Sequence, residues 1–139
     1  MIIVDTSALF ALVDAAQEDH ARVAAVIERE RGPFLLSTFV LAELDYLLST
    51  RLGIDAELDF LRSVAEGDYP IETFDDAEIA KAAALIERYR DLSIGLVDAS
   101  IVVLADRADT RQLLTLDERH FRALRPLRGG SFRLLPADA

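Results

Sequence analysis

Four of the 25 acidic residues stand where a solvated carboxylate does not belong. Asp5 follows the apolar run IIV, and between Ile2 and Val13 only Asp5, Thr6 and Ser7 are polar. Capping a helix is the ordinary task of such an Asp. Thr6 and Ser7 could cap the same helix, so a cap alone does not account for it. Glu43 interrupts FVLAELDYLL, and helical spacing puts it on a stripe with Val40 and Leu47. A stripe edge with the carboxylate reaching water explains Glu43 as well as chemistry does. Asp45, two residues on, points elsewhere and is expected in solvent. Asp98 lies in GLVDASIVVLA, with Ile101 and Val102 on one side and Val97 and Leu104 on the other. A helix apolar nearly all round is buried, and a buried carboxylate costs several kcal/mol unless it is paired or metal-bound. No cation lies within one helical turn of Asp98; an arginine from elsewhere would make it a structural ion pair instead. Asp117 follows LLTL and, taken alone, reads as another helix cap.

Carboxylates gathered in one place repel each other, and must take up protons or bind cations. Oxygen donors without His or Cys favour Mg²⁺, with Mn²⁺ as a substitute, over zinc. A divalent ion held this way, or a pair about 4 Å apart, is the common apparatus for in-line phosphodiester hydrolysis.

The elements that would gather them alternate. Strands are expected at 2–4, 34–37, 70–74, 112–116 and 132–135. Helices are expected at 7–13, at 20–31 closed by Gly32-Pro33, and from a Ser37 or Thr38 cap to about Ser49. Further helices are expected at 55–65, 76–90, 96–108 and 118–124. Periodicity turns Ile54, Leu58, Leu61 and Ala65 inward on the fourth helix, and Ile79, Ala83, Ile86 and Tyr89 on the fifth. Strands alternating with helices imply an α/β fold, a parallel sheet covered on both faces. Asp5 and Asp117 follow strands; Glu43 and Asp98 sit in early turns of helices. In a parallel sheet the strand C-termini share one edge, where such folds place their sites. The topology therefore predicts that the four carboxylates converge.

A length of 139 residues, 52% hydrophobic, fits a single domain over 1–139. No run of about 18 uncharged apolar residues offers a membrane span, and MIIVDTS lacks the basic start of a signal peptide. The absence of cysteine excludes disulfides and thiolate metal sites, and suits a reducing cytoplasm. A net charge of −10 argues against storing nucleic acid by bulk charge. It leaves room for a hydrolase whose cation neutralises part of its site and whose contact with a phosphodiester substrate is transient.

The segments IIVDTSALFALVD, TFVLAELDYLL, GLVDASIVVLADR and LLTLDERHF together resemble the PIN-domain family, and its VapC toxins in particular. The four arrive in the family's order and spacing across the whole chain. The resemblance implies a three-layer α/β/α sandwich with a central parallel sheet. It implies a Mg²⁺-dependent endoribonuclease, the toxin of a toxin–antitoxin pair, inhibited by a cognate VapB-type antitoxin. Its acidic positions match Asp5, Glu43, Asp98 and Asp117. On this reading Asp5 and Asp98 ligate the principal metal and Glu43 holds a metal-bound water or activates the attacking one. Asp117 completes the site or binds a second metal weakly. Thr6 or Ser7, after the first Asp, and Thr115, before the last acid, match the family's hydroxyls. They are expected to support the ligands from behind, or simply to cap helices.

His20 and His120 lie in charged surroundings (EDHAR, DERHF) and are expected to be solvated. Arg119 and Arg122 could meet RNA phosphates, though an ordinary charged face suits them better. Leu44, Leu48, Leu52, Leu58 and Leu61 suggest either a surface for a homodimer or antitoxin, or plain core packing. Two other functions compete. An aspartate-based phosphotransfer protein would want a second Asp where Ser7 stands, or a lysine better placed than Lys81, the only one in the chain. A non-catalytic PIN-fold interaction module would have no need of the intact acid set.

Overall fold

Five short strands, β1 (Ile2–Val4), β2 (Phe34–Ser37), β3 (Ile71–Glu72), β4 (Gln112–Leu114) and β5 (Arg133–Leu135), form a sheet in the order β3-β2-β1-β4-β5. All four pairings are parallel, with Ile3 aligned to Leu35 on one side and Leu113 on the other. The computed structural model describes residues 1–139. The earliest strand is thus the central one. Its three residues are all buried, which is why it reads as an unbroken apolar run.

Seven helices cover the sheet: α1 (Thr6–Val13), α2 (His20–Arg29), α3 (Thr38–Arg51), α4 (Ile54–Ala65), α5 (Asp76–Arg88), α6 (Leu96–Arg107) and α7 (Glu118–Ala123). The architecture is the expected three-layer α/β/α sandwich, around one core of 34 buried hydrophobic residues. α6 packs against β1 and β2 and carries α5 on its other side. Its residues Ala99 to Ala105 are all buried, as its all-round apolar sequence requires. Ser37 and Ser100 are the polar exception in this layer. Ser100 Oγ donates to the Val97 carbonyl at 2.7 Å, so Ser37 donates to Ser100 at 2.8 Å. Ser37 also accepts from Phe39 N and so caps α3. Gly32 (φ 69°) turns the chain into β2; a Cβ there would stand 3.0 Å from Phe34. No helix is long and apolar enough to cross a membrane.

Three expectations about faces change. α4 buries Phe60 and Val64, with Phe60 packed on Tyr69, and leaves Ile54 and Leu58 exposed. Two apolar stripes compete on this helix, and the aromatic one wins the core. α5 buries Ala82 and Leu85 rather than Ile79 and Ala83. Leu44 and Leu48 are fully buried, so of the five leucines only Leu52 and Leu58 are exposed. Asp45 is half-buried rather than solvated, with one oxygen out of reach of water. The Asp45 carboxylate beside it pushes the Glu57 carboxyl up. His20 is also half-buried, its Nδ1 at 2.8 Å from the Ala11 carbonyl.

Candidate active site

From β1 the chain runs outward to β2 and β3 on one side, and later to β4 and β5 on the other. The strand order therefore reverses between β1 and β4, and a crevice opens at their carboxyl ends. Asp5 leaves β1 there, and the segment 115–117 leaves β4. A backbone hydrogen bond from Asp5 N to Leu114 O, 2.9 Å, joins the two exits.

Asp5 is only 5% exposed. It caps α1, Oδ1 accepting from Thr6 N at 2.8 Å. Its Oδ2 accepts from Ser7 Oγ at 2.9 Å and Thr115 Oγ1 at 2.7 Å. Each hydroxyl in turn accepts a backbone N–H: Ser7 that of Leu116, Thr115 that of Asp117, both at 3.0 Å. Asp5 is thus both the cap and the centre of a network that fixes the loop after β4. Burial pushes its carboxyl up, these hydrogen bonds pull it back, and Asp117 adds to the push. Thr6 Oγ1 is buried without a hydrogen-bond partner.

Asp98 occupies the first turn of α6, where the helix N-terminus favours a negative charge. Its side chain is 20% exposed and no arginine pairs with it. Burial chiefly, then Asp5, and less so Asp117 and Glu43, push its carboxyl up to about 6, against a pull from His120. The sequence alternative of a structural arginine pair is therefore not what the fold adopts. Asp98 registers all three other acids, so the four candidates share one electrostatic neighbourhood. Glu43 is the outermost: Val40 on its stripe is buried, while Glu43 itself is exposed at the edge.

Asp117 caps α7 through Oδ1, accepting from His120 N at 3.1 Å. Its Oδ2 meets His120 Nδ1 at 2.7 Å. His120 is therefore not a solvated surface residue, as its charged sequence context implied, but part of the acid cluster. It also lies 3.9 Å from Asp98 Oδ2. The hydrogen bond to Asp117 pushes the imidazole up. One donor atom each from Asp98, Asp117 and His120 fall within 4.8 Å of one another, a spacing that one cation could bridge. Arg122 is committed elsewhere, bonded to Asp138 at 2.7 Å and to Glu118 at 3.0 Å. Arg119 is exposed and makes no ion pair.

A family model described as the PIN domain matches residues 2–125. The chain belongs to the PIN-domain family. Among PIN proteins it is 50% identical over 135 residues to Ribonuclease VapC26 of Mycobacterium tuberculosis, covering 97% of this chain and all of that protein. That likeness makes it a PIN domain of the VapC type. Its fold is shared by Mycobacterium tuberculosis VapC20, a sarcin–ricin-loop-cleaving toxin, at a TM-score of 0.79 and 21% identity, covering 84% of this chain and 90% of that one. A toxin–antitoxin complex from Klebsiella pneumoniae matches at a TM-score of 0.70 and 16% identity, covering 89% and 92%.

Proposed function

We propose that this PIN domain, spanning 1–139, is a divalent-cation-dependent endoribonuclease and the toxin of a VapBC-type pair. The observation that carries the reading is the cluster itself: buried Asp5 and Asp98, with Asp117 and Glu43 near enough to act on Asp98, and no arginine to neutralise them. A fold that keeps such repulsion with only the His120 imidazole beside Asp117 and Asp98 is suited to a cation. The donor set fits, with carboxylate oxygens predominating and an unpartnered buried hydroxyl, Thr6 Oγ1, in the same stretch as Asp5. Mg²⁺, replaceable by Mn²⁺, suits it. Asp5 and Asp98 would be its principal holders, with Asp117 and Glu43 completing the site. When bound, the ion supplies charge neutralisation at the scissile phosphate and acidifies water.

The residues do the rest. Ser7 and Thr115 fix the Asp5 carboxylate from behind by hydrogen bonds to Oδ2. Thr6 fixes Oδ1 through its backbone N–H. Glu43, exposed at the rim, orients the attacking water and takes its proton on a carboxylate oxygen. An antitoxin protein is the natural partner, since an acidic crevice attracts an arginine side chain. The exposed Leu52, Ile54 and Leu58 at the α3–α4 junction offer apolar surface for that partner or for a homodimer.

Purified protein should cleave RNA with Mg²⁺ or Mn²⁺ and not in EDTA. Asp5→Asn and Asp98→Asn should each lose orders of magnitude in rate. Wild-type cleavage by both variants would refute the site; equal cleavage in EDTA would refute the cation.

A further inference from the structure

We infer that His120 is a positioning residue that sets the Asp117 carboxylate for cation binding, an inference that rests on the cation site proposed above. Both oxygens of Asp117 are held by one residue. Oδ1 takes the His120 backbone N–H at 3.1 Å, and Oδ2 takes the ring Nδ1 at 2.7 Å. The first bond is a helix cap that any residue at 120 would supply. The second depends on the side chain, and it decides how the carboxylate is rotated about its own bond.

That rotation matters because of what lies on the other side of the ring nitrogen. Nδ1 stands between two acids, 2.7 Å from Asp117 Oδ2 and 3.9 Å from Asp98 Oδ2. The imidazole therefore holds Asp117 turned toward Asp98 while the two carboxylates repel. His120, Asp98 and Asp117 are all partly shielded, with side chains 23%, 20% and 29% exposed. Solvent alone would not hold this arrangement. Asp5 is braced comparably by Ser7 and Thr115, so each end of the crevice has its own brace. Residues that orient a ligand from behind commonly change metal affinity by about 10- to 100-fold when removed.

The test exploits which ring nitrogen is used. Asparagine at 120 carries an amide nitrogen where Nδ1 stands; glutamine carries it where Nε2 stands, out of line with Asp117. Mn²⁺ alone, and separately Mg²⁺ alone, are titrated calorimetrically into wild type, His120→Asn, His120→Gln and His120→Leu, with no RNA present. Melting in EDTA confirms that each variant is folded, since the backbone cap on Asp117 is kept in all of them. Gln and Leu should weaken cation binding by about 10-fold or more, while Asn keeps it near wild type. RNA cleavage at limiting cation should follow the same order, with KM for RNA unmoved at saturating cation. Wild-type affinity in His120→Leu would overturn the inference and leave the cation site standing. Asn as weak as Leu would also overturn it, by showing that the imidazole itself is needed rather than the hydrogen bond to Oδ2. No cation binding by wild type would refute the cation site, and this role with it.

Discussion

Asp98→Asn should make the cation-free protein more stable, not less. In the fold the Asp98 carboxyl is pushed up to about 6 from an ordinary 3.8. A group raised by folding contributes stability that is complete below its unfolded value and is lost as pH rises through the folded one. At pH 7.5 Asp98 is ionised against that preference, at a cost of up to about 3 kcal/mol. Its side chain keeps 20% exposure, and screening through the opening leaves about 1–2 kcal/mol. Asn keeps the shape and removes the charge, so the variant should melt roughly 3–10 °C above wild type in EDTA at pH 7.5. At pH 4.5 folded Asp98 is protonated while the unfolded carboxyl is still mostly ionised, so the gain should fall to about a third of its value at pH 7.5. Mg²⁺ should stabilise wild type, by about 2.7 kcal/mol at a hundredfold excess over Kd, and the variant much less. Differential scanning fluorimetry with and without Mg²⁺, at the two pH values, measures all of this. A variant that melts below wild type in EDTA, together with no Mg²⁺ shift in wild type, would refute the electrostatic account of Asp98.

Thr115→Val removes the donor to Asp5 and the acceptor for Asp117 N. It should cost about 1–3 kcal/mol in urea unfolding and lower RNA cleavage with it. Ser100→Ala strands the buried Ser37 hydroxyl, so the loss from Ser37→Ala and Ser100→Ala together should be smaller than the sum of the two, by about 0.5 kcal/mol or more in a double-mutant cycle. Leu58→Glu places a charge on exposed apolar surface; it should leave the melting temperature unchanged while weakening co-purification with the antitoxin.

The acid cluster was legible because Asp5 and Asp98 break long apolar runs, and a parallel sheet offers one edge where they can meet. Asp117 gained meaning only from that company. Glu43 was ambiguous in sequence and is still the outlier in space, exposed where the others are shielded. His120 was missed because its neighbours are charged, and charge in sequence reads as solvent. A signal was present: Asp117 and His120 stand three apart, the spacing at which a cap and the side chain of the third helical residue face each other. The faces of α4 and α5 were misread for another reason. Both helices carry apolar residues on adjoining stripes, so periodicity leaves their rotation open, and contact with Tyr69 or with α6 decides it.

The central place of β1 has a consequence for the order of synthesis. Asp5 leaves the ribosome with Ser7, but the second hydroxyl that holds it, Thr115, follows 110 residues later. Until then β1 lacks its neighbour on one side, and the crevice has only one wall. A translating ribosome would therefore carry a chain with Asp5, Glu43 and then Asp98 exposed to the tunnel mouth and no assembled nuclease among them. Activity would arise only once β4 pairs with β1 and α7 caps the site. If the chain is the nuclease proposed above, connectivity alone shields the cell from its nascent form, and inhibition is needed only once β4 and α7 are in place.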